Sequence, residues 1–312
     1  MSPTCWILTD GRLGTENSAR GLAEALGLDY TVIPIQLRQP WKSLSPWLRL
    51  GLRYAFKNSQ LRAPWPDILI TAGRTPAVGS LFIGQQSPGT FRIHITNPAV
   101  APTLFDCVIA PVHDQLTGPN VITTTGALHR LTPDKLASAA DHWRPRFAHL
   151  PRPWHGVLIG GSAHGYVLDA DSARQFMPQI KALGGSLIAT ASRRTDPQAR
   201  HVINQQADYL WNGDGDNPLL GILALADNLF VTADSVSMLT EAASSGRPTY
   251  MICPPGTPSA KLARFHAAMI GAGHLAQFTG ILPESIPTPL NEMPALAARV
   301  RDLLIARGKL SV

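Results

Sequence analysis

The sequence predicts an α/β protein of two parallel-sheet halves, and three observations carry that expectation. Short apolar runs alternate with polar turns and stretches of helical period, the βαβ rhythm of a parallel sheet. That rhythm pauses at a proline-rich stretch, residues 144–154, and then restarts. The chain has 312 residues, 45% hydrophobic and 15% charged, enough for two cores and too apolar for a disordered chain.

Taken in order, residues 6–8 read as a strand before a helix at 21–26. Residues 68–70 precede a helix at 76–83, and a strand at 91–95 precedes the turn at Thr103. Strands follow at 107–110 and 121–123, then a helix at 133–143, opened by Thr132 as N-cap with Pro133 in the first position. Pro145, Pro151 and Pro153 without apolar period make 144–154 a linker between domains 1–143 and 155–312. The second half runs strand 157–159, helix 170–183, strand 187–191, helix 197–206, strand 209–211, helix 219–226, strand 228–232, helix 236–244 and strand 249–252. An Ala/Leu/Arg-rich amphipathic helix at 294–307 closes the chain and is available to pack back on the first domain.

Composition narrows the function. Cys5, Cys107 and Cys253 stand in or beside apolar runs without metal-ligand spacing, which argues against a disulfide framework or a zinc site and for a reducing cytoplasm. No basic segment followed by a long apolar one opens the chain, so no signal peptide is expected. The longest apolar runs, such as 219–225, are far shorter than the roughly 20 residues of a membrane span. Twenty-seven Lys and Arg against 21 Asp and Glu give a net charge of +6, yet no dense basic run or nucleic-acid motif is present, so nucleic acid is not the expected partner.

Between residues 31 and 66 the charge is one-sided. Arg38, Lys42, Arg49, Arg53, Lys57 and Arg62 occur with no acidic residue, among Trp41, Trp47, Tyr54, Phe56 and Trp65. Leu44, Trp47, Leu48, Gly51 and Ala55 fall at helical spacing opposite Arg49, Arg53 and Lys57. This predicts a basic amphipathic helix: either a peripheral contact with anionic lipid through residues 38–62, or a surface helix with solvated arginines.

Four segments can carry chemistry. Thr9 to Asn17 is a glycine-containing strand-to-helix turn whose amides can face an anion, or a plain turn with Asp10 accepting backbone bonds. It lacks the dinucleotide and P-loop spacings, which disfavours those enzymes. Gly160, Gly161 and Ser162 make a second such turn in the equivalent place, and the two would meet at one cleft if both sheets pointed their carboxyl ends at it. Arg193 and Arg194, among hydroxyls at a strand end, suit a diphosphate clamp or a solvated basic turn. The most informative stretch is 232–243. Asp234 and Ser235 sit at an N-cap, Ser237 and Met238 in the first turn, and Glu241 one turn inward, so phosphate could bind the helix start and ribose hydroxyls the glutamate; a capped core helix with an exposed acid fits as well. Asp10, His113 and Asp114 end strands of the first half and are candidates for a general base, although Asp114 equally suits a turn cap.

The segments Trp6 to Asn17, Thr96-Asn97-Pro98, Pro111 to Asp114, Gly118 to Val121, Thr124 to Arg130 and Thr232 to Met238 together resemble the mitochondrial-fission Elm-type family over nearly the whole chain. The second half also resembles nucleotide-sugar glycosyltransferases of the GT-B fold, above all the N-acetylglucosaminyltransferase that completes the lipid-linked peptidoglycan precursor. Gly160-Gly161-Ser162 and Asp234 through Glu241 before Gly246-Arg247-Pro248 carry that likeness. It implies a GT-B-like pair of Rossmann-like domains facing a cleft, with donor sugar nucleotide on the second domain and acceptor on the first. By resemblance Glu241 would hold the ribose, Ser235 and Ser237 the donor, and Arg193 or Arg194 the leaving diphosphate, with no metal and no other cofactor. The first loop, Asp-Gly-Arg-Leu-Gly, departs from the multi-glycine turn of the peptidoglycan enzyme, so acceptor chemistry does not carry over. Three functions follow: a glycosyltransferase acting on a cell-envelope glycan or glycolipid at the inner membrane, a membrane-associated scaffold without catalysis, or a sugar-nucleotide epimerase.

Overall fold

A computed structural model describes residues 3–57, 61–211 and 213–311. In chain order the elements are β1 (Cys5–Thr9), α1 (Leu13–Leu26), β2 (Tyr30–Pro34), α2 (Trp41–Leu44), β3 (Ile68–Ala72), α3 (Arg74–Gln86), β4 (Phe91–Ile95), β5 (Cys107–Pro111), β6 (Val121–Thr124) and α4 (Pro133–Phe147). There follow β7 (Trp154–Ile159), α5 (Ala170–Lys181), β8 (Ser186–Ala191), α6 (Pro197–Gln206), β9 (Tyr209–Leu210), α7 (Leu219–Leu225), β10 (Asn228–Thr232), α8 (Val236–Ala243), β11 (Thr249–Ile252), α9 (Ala260–Gly271), β12 (Ala276–Gln277) and α10 (Met293–Ala306).

The chain forms two compact units, one of residues up to 130 with those from 292, the other of 131–291. The first holds a six-stranded parallel sheet in the order β2-β1-β3-β4-β5-β6. Its strands β3 and β5 are buried along their whole length, which is why they read as continuous apolar runs without alternation. α10 returns to this unit, where Arg301 donates to the Leu26 carbonyl at the end of α1 and Leu296, Val300 and Leu304 join the core with Leu22 and Leu26. Just before it, the Glu292 carboxylate accepts from the amides of Thr125 and Gly126 after β6.

The second unit holds a parallel sheet in the order β12-β11-β10-β7-β8-β9. Phe230 of β10 lies in its core between Tyr250 and Phe278, at ring distances of 5.5 and 4.8 Å. α4 lies in this unit, not with the preceding strands. Gly221 of α7 lets the Trp143 ring approach so closely that a Cβ there would sit 2.3 Å from it. The helix also continues through Pro145 to Phe147, which is fully buried, so the irregular connection is only the stretch between Phe147 and Trp154.

The basic amphipathic helix expected over 44–57 does not form. Residues 38–57 make a closed loop with one helical turn at α2 and a short 3-10 turn at Leu52–Tyr54; residues 58–60 of the basic stretch lie outside the described residues. Pro46 removes a helical donor, and Gly51 is left-handed with φ 63°. No helix of the described residues is long and apolar enough to cross a membrane.

Candidate functional site

In the second unit the chain leaves β7 toward β8 and β9, then returns to place β10 on the other side of β7. The carboxyl ends of β7 and β10 are therefore a topological switch point, where connections diverge and ligands of open α/β sheets bind. Gly160 and Gly161 follow β7 there, and Asp234 and Ser235 follow β10.

Asp234 organises this point. Its side chain is 1% exposed; Oδ1 accepts from the Thr232 hydroxyl at 2.7 Å, and Oδ2 accepts from the Gly161 amide and an Arg194 guanidinium nitrogen, both at 3.1 Å. A Cβ on Gly160 would fall 2.1 Å from Asp234 Oδ1, and one on Gly161 2.4 Å from the Arg194 carbonyl. The two glycines are thus required by close packing. The Gly160 amide donates to Thr232 Oγ1 at 2.8 Å, so neither glycine amide is open to an anion. The cradle expected at Gly160–Ser162 is closed by its own neighbours, and Ser162 accepts from Leu168 in a loop that reaches α5 only at Ala170. Asp234 is likewise occupied by protein partners, and its carboxylate positions the Gly161 turn and Arg194.

What remains open is cationic. Arg193 is exposed and forms no ion pair among the described residues, while half-exposed Arg194 is tethered to Asp234. Both follow β8, the strand beside β7. Ser235 caps α8 by accepting from the Met238 amide, and Ser237 in the first turn, at the helix's partially positive end, is exposed. Met238 packs partly buried against the core. Glu241, one turn inward, is half-buried and has no hydrogen bond or ion pair among the described residues; desolvation pushes its carboxyl up to about 7.

Two contributors went unpredicted. His266 of α9 is buried with Nε2 2.9 Å from the Ala233 carbonyl, supporting the residue before Asp234, and burial lowers its pKa. Tyr166 hydrogen-bonds Cys253, and burial raises the Tyr166 hydroxyl to about 12. No motif marks either; only the apolar spacing of Leu262, Phe265 and Met269 after the Ser259 cap signals α9.

In the first unit the three candidate bases do not come together. Asp10 follows β1 whereas His113 and Asp114 follow β5, and β3 and β4 lie between, a separation of roughly 14 Å at one strand spacing each. Asp10 is half-buried, accepting from the Arg12 amide at 3.4 Å. Its loop is closed by side chains: Thr9 donates to Glu16 at 3.0 Å and accepts from Gly11, and Glu16 pairs with Arg20 at 2.7 Å. The Asp114 side chain is buried and accepts from the Asn97 amide at 2.9 Å, with His113 Nε2 3.8 Å from its other oxygen. This carboxylate ties down the loop in which Thr96 and Ala99 take positive φ, a different segment from the turn at 115–118 that the sequence suggested it would cap.

A family model described as mitochondrial fission ELM1 matches residues 13–304. The mitochondrial fission protein ELM1 of Arabidopsis thaliana is 33% identical over 280 residues, 78% of this chain and 65% of that protein, so the chain spans just under two thirds of that relative's length. Among solved structures, the UDP-GlcNAc 2-epimerase of Methanocaldococcus jannaschii, solved with UDP-GlcNAc and UDP, is similar over 98% of this chain and 100% of that one, with TM-score 0.54 and 11% identity. A UDP-glucosyltransferase from Polygonum tinctorium is similar over 99% and 94%, with TM-score 0.52 and 11% identity. These likenesses show the fold, two Rossmann-like domains of the GT-B kind. With the model match spanning most of its length and the plant protein one third identical, the chain belongs to the mitochondrial fission ELM1 family.

Proposed function

We propose that the protein is a metal-independent GT-B-type glycosyltransferase. It takes a sugar from a nucleoside-diphosphate sugar held by the second unit and delivers it to a cell-envelope glycan or glycolipid acceptor at the inner-membrane surface. The observation that carries this reading is Glu241: a desolvated carboxylate with no protein partner, one turn from the amino end of a helix at a switch point. Two ribose hydroxyls donating to it would supply the missing bonds. Arg193, Arg194 and the first-turn amides of α8 offer positive charge for a diphosphate, with Ser235 and Ser237 beside them.

In the reaction the acceptor hydroxyl oxygen attacks the anomeric carbon and the bond from that carbon to the diphosphate breaks. The leaving oxygen's charge is taken up by the arginines and helix amides, and the hydroxyl proton passes to a base. Asp10 and Asp114 each already accept a backbone amide, from Arg12 and Asn97, so bonding does not choose between these candidates.

Calorimetric titration with a panel of nucleoside diphosphates and their sugars tests the reading. One nucleotide should bind saturably, and Glu241→Ala should weaken it roughly 10- to 100-fold, since a hydrogen bond to a charged group contributes about 1.5–3 kcal/mol. No binding across the panel would favour a GT-B-derived binding or scaffold protein, a reading supported by the Arabidopsis relative's being named for mitochondrial fission. Turnover of donor without any acceptor would point to an epimerase.

A further inference from the structure

The loop of residues 38–57 is closed at its base, where Leu37 pairs antiparallel with Phe56 and the Arg38 amide donates to the Ala55 carbonyl. Leu37, Leu52, Ala55 and Phe56 are buried in the core of the first unit. The rest of the loop inverts the usual preference. Leu44, Trp47, Leu50 and Tyr54 are 47, 60, 81 and 57% exposed, four large apolar side chains within eleven residues. They are not loose: the Trp47 indole donates to the Ala99 carbonyl at 3.0 Å and lies under Arg74, whose guanidinium also donates to the Ser45 carbonyl. Trp41 donates to the Leu50 carbonyl across the loop.

Around these side chains the charge has one sign. Arg38, Lys42, Arg49, Arg53, Lys57 and Arg62 are all exposed, and none pairs with an acid among the described residues. An aromatic and leucine platform rimmed by unneutralised cations matches the interfacial zone of an anionic bilayer, where Trp and Tyr settle at headgroup depth and Lys and Arg meet phosphates. A protein partner of ordinary surface composition would leave those cations unpaired.

We propose that this closed loop is a membrane-docking platform that seats the first unit on a bilayer rich in anionic phospholipid. Trp47 is bonded to the loop after β4 and Arg74 opens α3 directly after β3, so the platform sits at the carboxyl ends of the first unit's strands. A glycolipid acceptor held in such a bilayer would be presented at that edge. The purpose assigned to the platform rests on the glycosyltransferase reading; its lipid binding does not.

The test is co-sedimentation of the full chain with vesicles of phosphatidylglycerol in phosphatidylcholine and with phosphatidylcholine alone. Binding to the first and not the second is expected, weakening as salt rises. Each cation near such a surface is worth about fivefold, so Arg49→Glu with Arg53→Glu should lower partition at least 25-fold. Leu50→Asp, at a side chain that supports nothing in the fold, should lower it about tenfold. Nucleotide affinity should be unchanged in these variants, which verifies folding; its absence in every form, with vesicle binding intact, would sink the donor reading and leave the platform standing. Equal binding by variants and wild type, or none to anionic vesicles, overturns the proposal. So does a wild-type dimer that Leu50→Asp turns into a monomer without any vesicle binding, for the face would then belong to a second copy.

Discussion

Replacing Glu241 by Gln should stabilise the protein, and only where the glutamate is ionised. Desolvation holds the folded carboxyl near 7 against an ordinary value of 4.5. Between those values the folded chain keeps a proton that the unfolded chain has released, so stability falls as pH rises through the window and the deficit is complete above about 7. At about 1.4 kcal/mol per tenfold, the full deficit is roughly 3 kcal/mol. The side chain keeps part of its surface in water, which makes that figure an upper bound and about 1–3 kcal/mol the expectation. Gln keeps the shape and never ionises. At pH 8 Glu241→Gln should therefore melt on the order of 3–8 °C above wild type, and at pH 4 the two should coincide. Thermal unfolding at pH 4, 5, 6, 7 and 8 measures the gap directly. A gap independent of pH, or a less stable Gln variant at pH 8, would mean that the carboxylate has a protein partner, and the argument for a ribose site would lose its premise. If the premise holds, nucleotide binding near pH 6.5 should expel a proton from Glu241, seen as an apparent enthalpy that varies with the buffer's ionisation heat.

Asp234→Ala should cost roughly 3–5 kcal/mol in urea unfolding, because the Gly161 amide and Thr232 hydroxyl lose their acceptor in a buried site. Asp234→Asn should cost about 1 kcal/mol, keeping an oxygen for the Gly161 amide and Arg194 while losing the charge of the pair; equal losses for the two would refute the hydrogen-bond account. Gly160→Ala should destabilise by about 1–3 kcal/mol through the 2.1 Å approach to a carboxylate that its own bonds hold still. Gly271→Ala, at the end of α9 with open space around the new methyl, should be neutral or gain up to about 1 kcal/mol. A reversed order would show that close packing at the switch point is not what selects glycine there.

What the sequence could disclose tracks the range of the interactions involved. Parallel strands buried on both faces announce themselves as short apolar runs, and Ser235 before Val236 announces a capped helix, because both signals are local. The edge strand β2 carries Pro34 and only one fully buried residue, Ile33, as an edge position allows, so no apolar run marks it, and β12 is two residues long. Pairings distant in sequence are invisible. Nothing near residue 143 says that Trp143 meets Gly221, so α4 looks like the end of the first half although it packs with α7. The same limit governs the site. Gly160 and Gly161 look like an anion cradle until Thr232 and Asp234, more than seventy residues on, are found to take their amides, with Asp234 and the Arg194 carbonyl excluding a Cβ at the two positions. Glu241 is the converse: its spacing marks it only as an acid one turn into a helix, and the missing protein partner that makes it a candidate ligand group emerges when the surrounding elements pack. The loop of 38–57 completes the argument. Its apolar spacing imitates a helix, yet a helix is retained when one face finds a core, and here Leu44, Trp47 and Leu50 remain in water while Pro46 and left-handed Gly51 break the backbone ladder. Periodicity reported the composition of that surface correctly and its conformation wrongly, because the spacing of apolar residues carries no record of where a proline and a left-handed glycine interrupt the backbone.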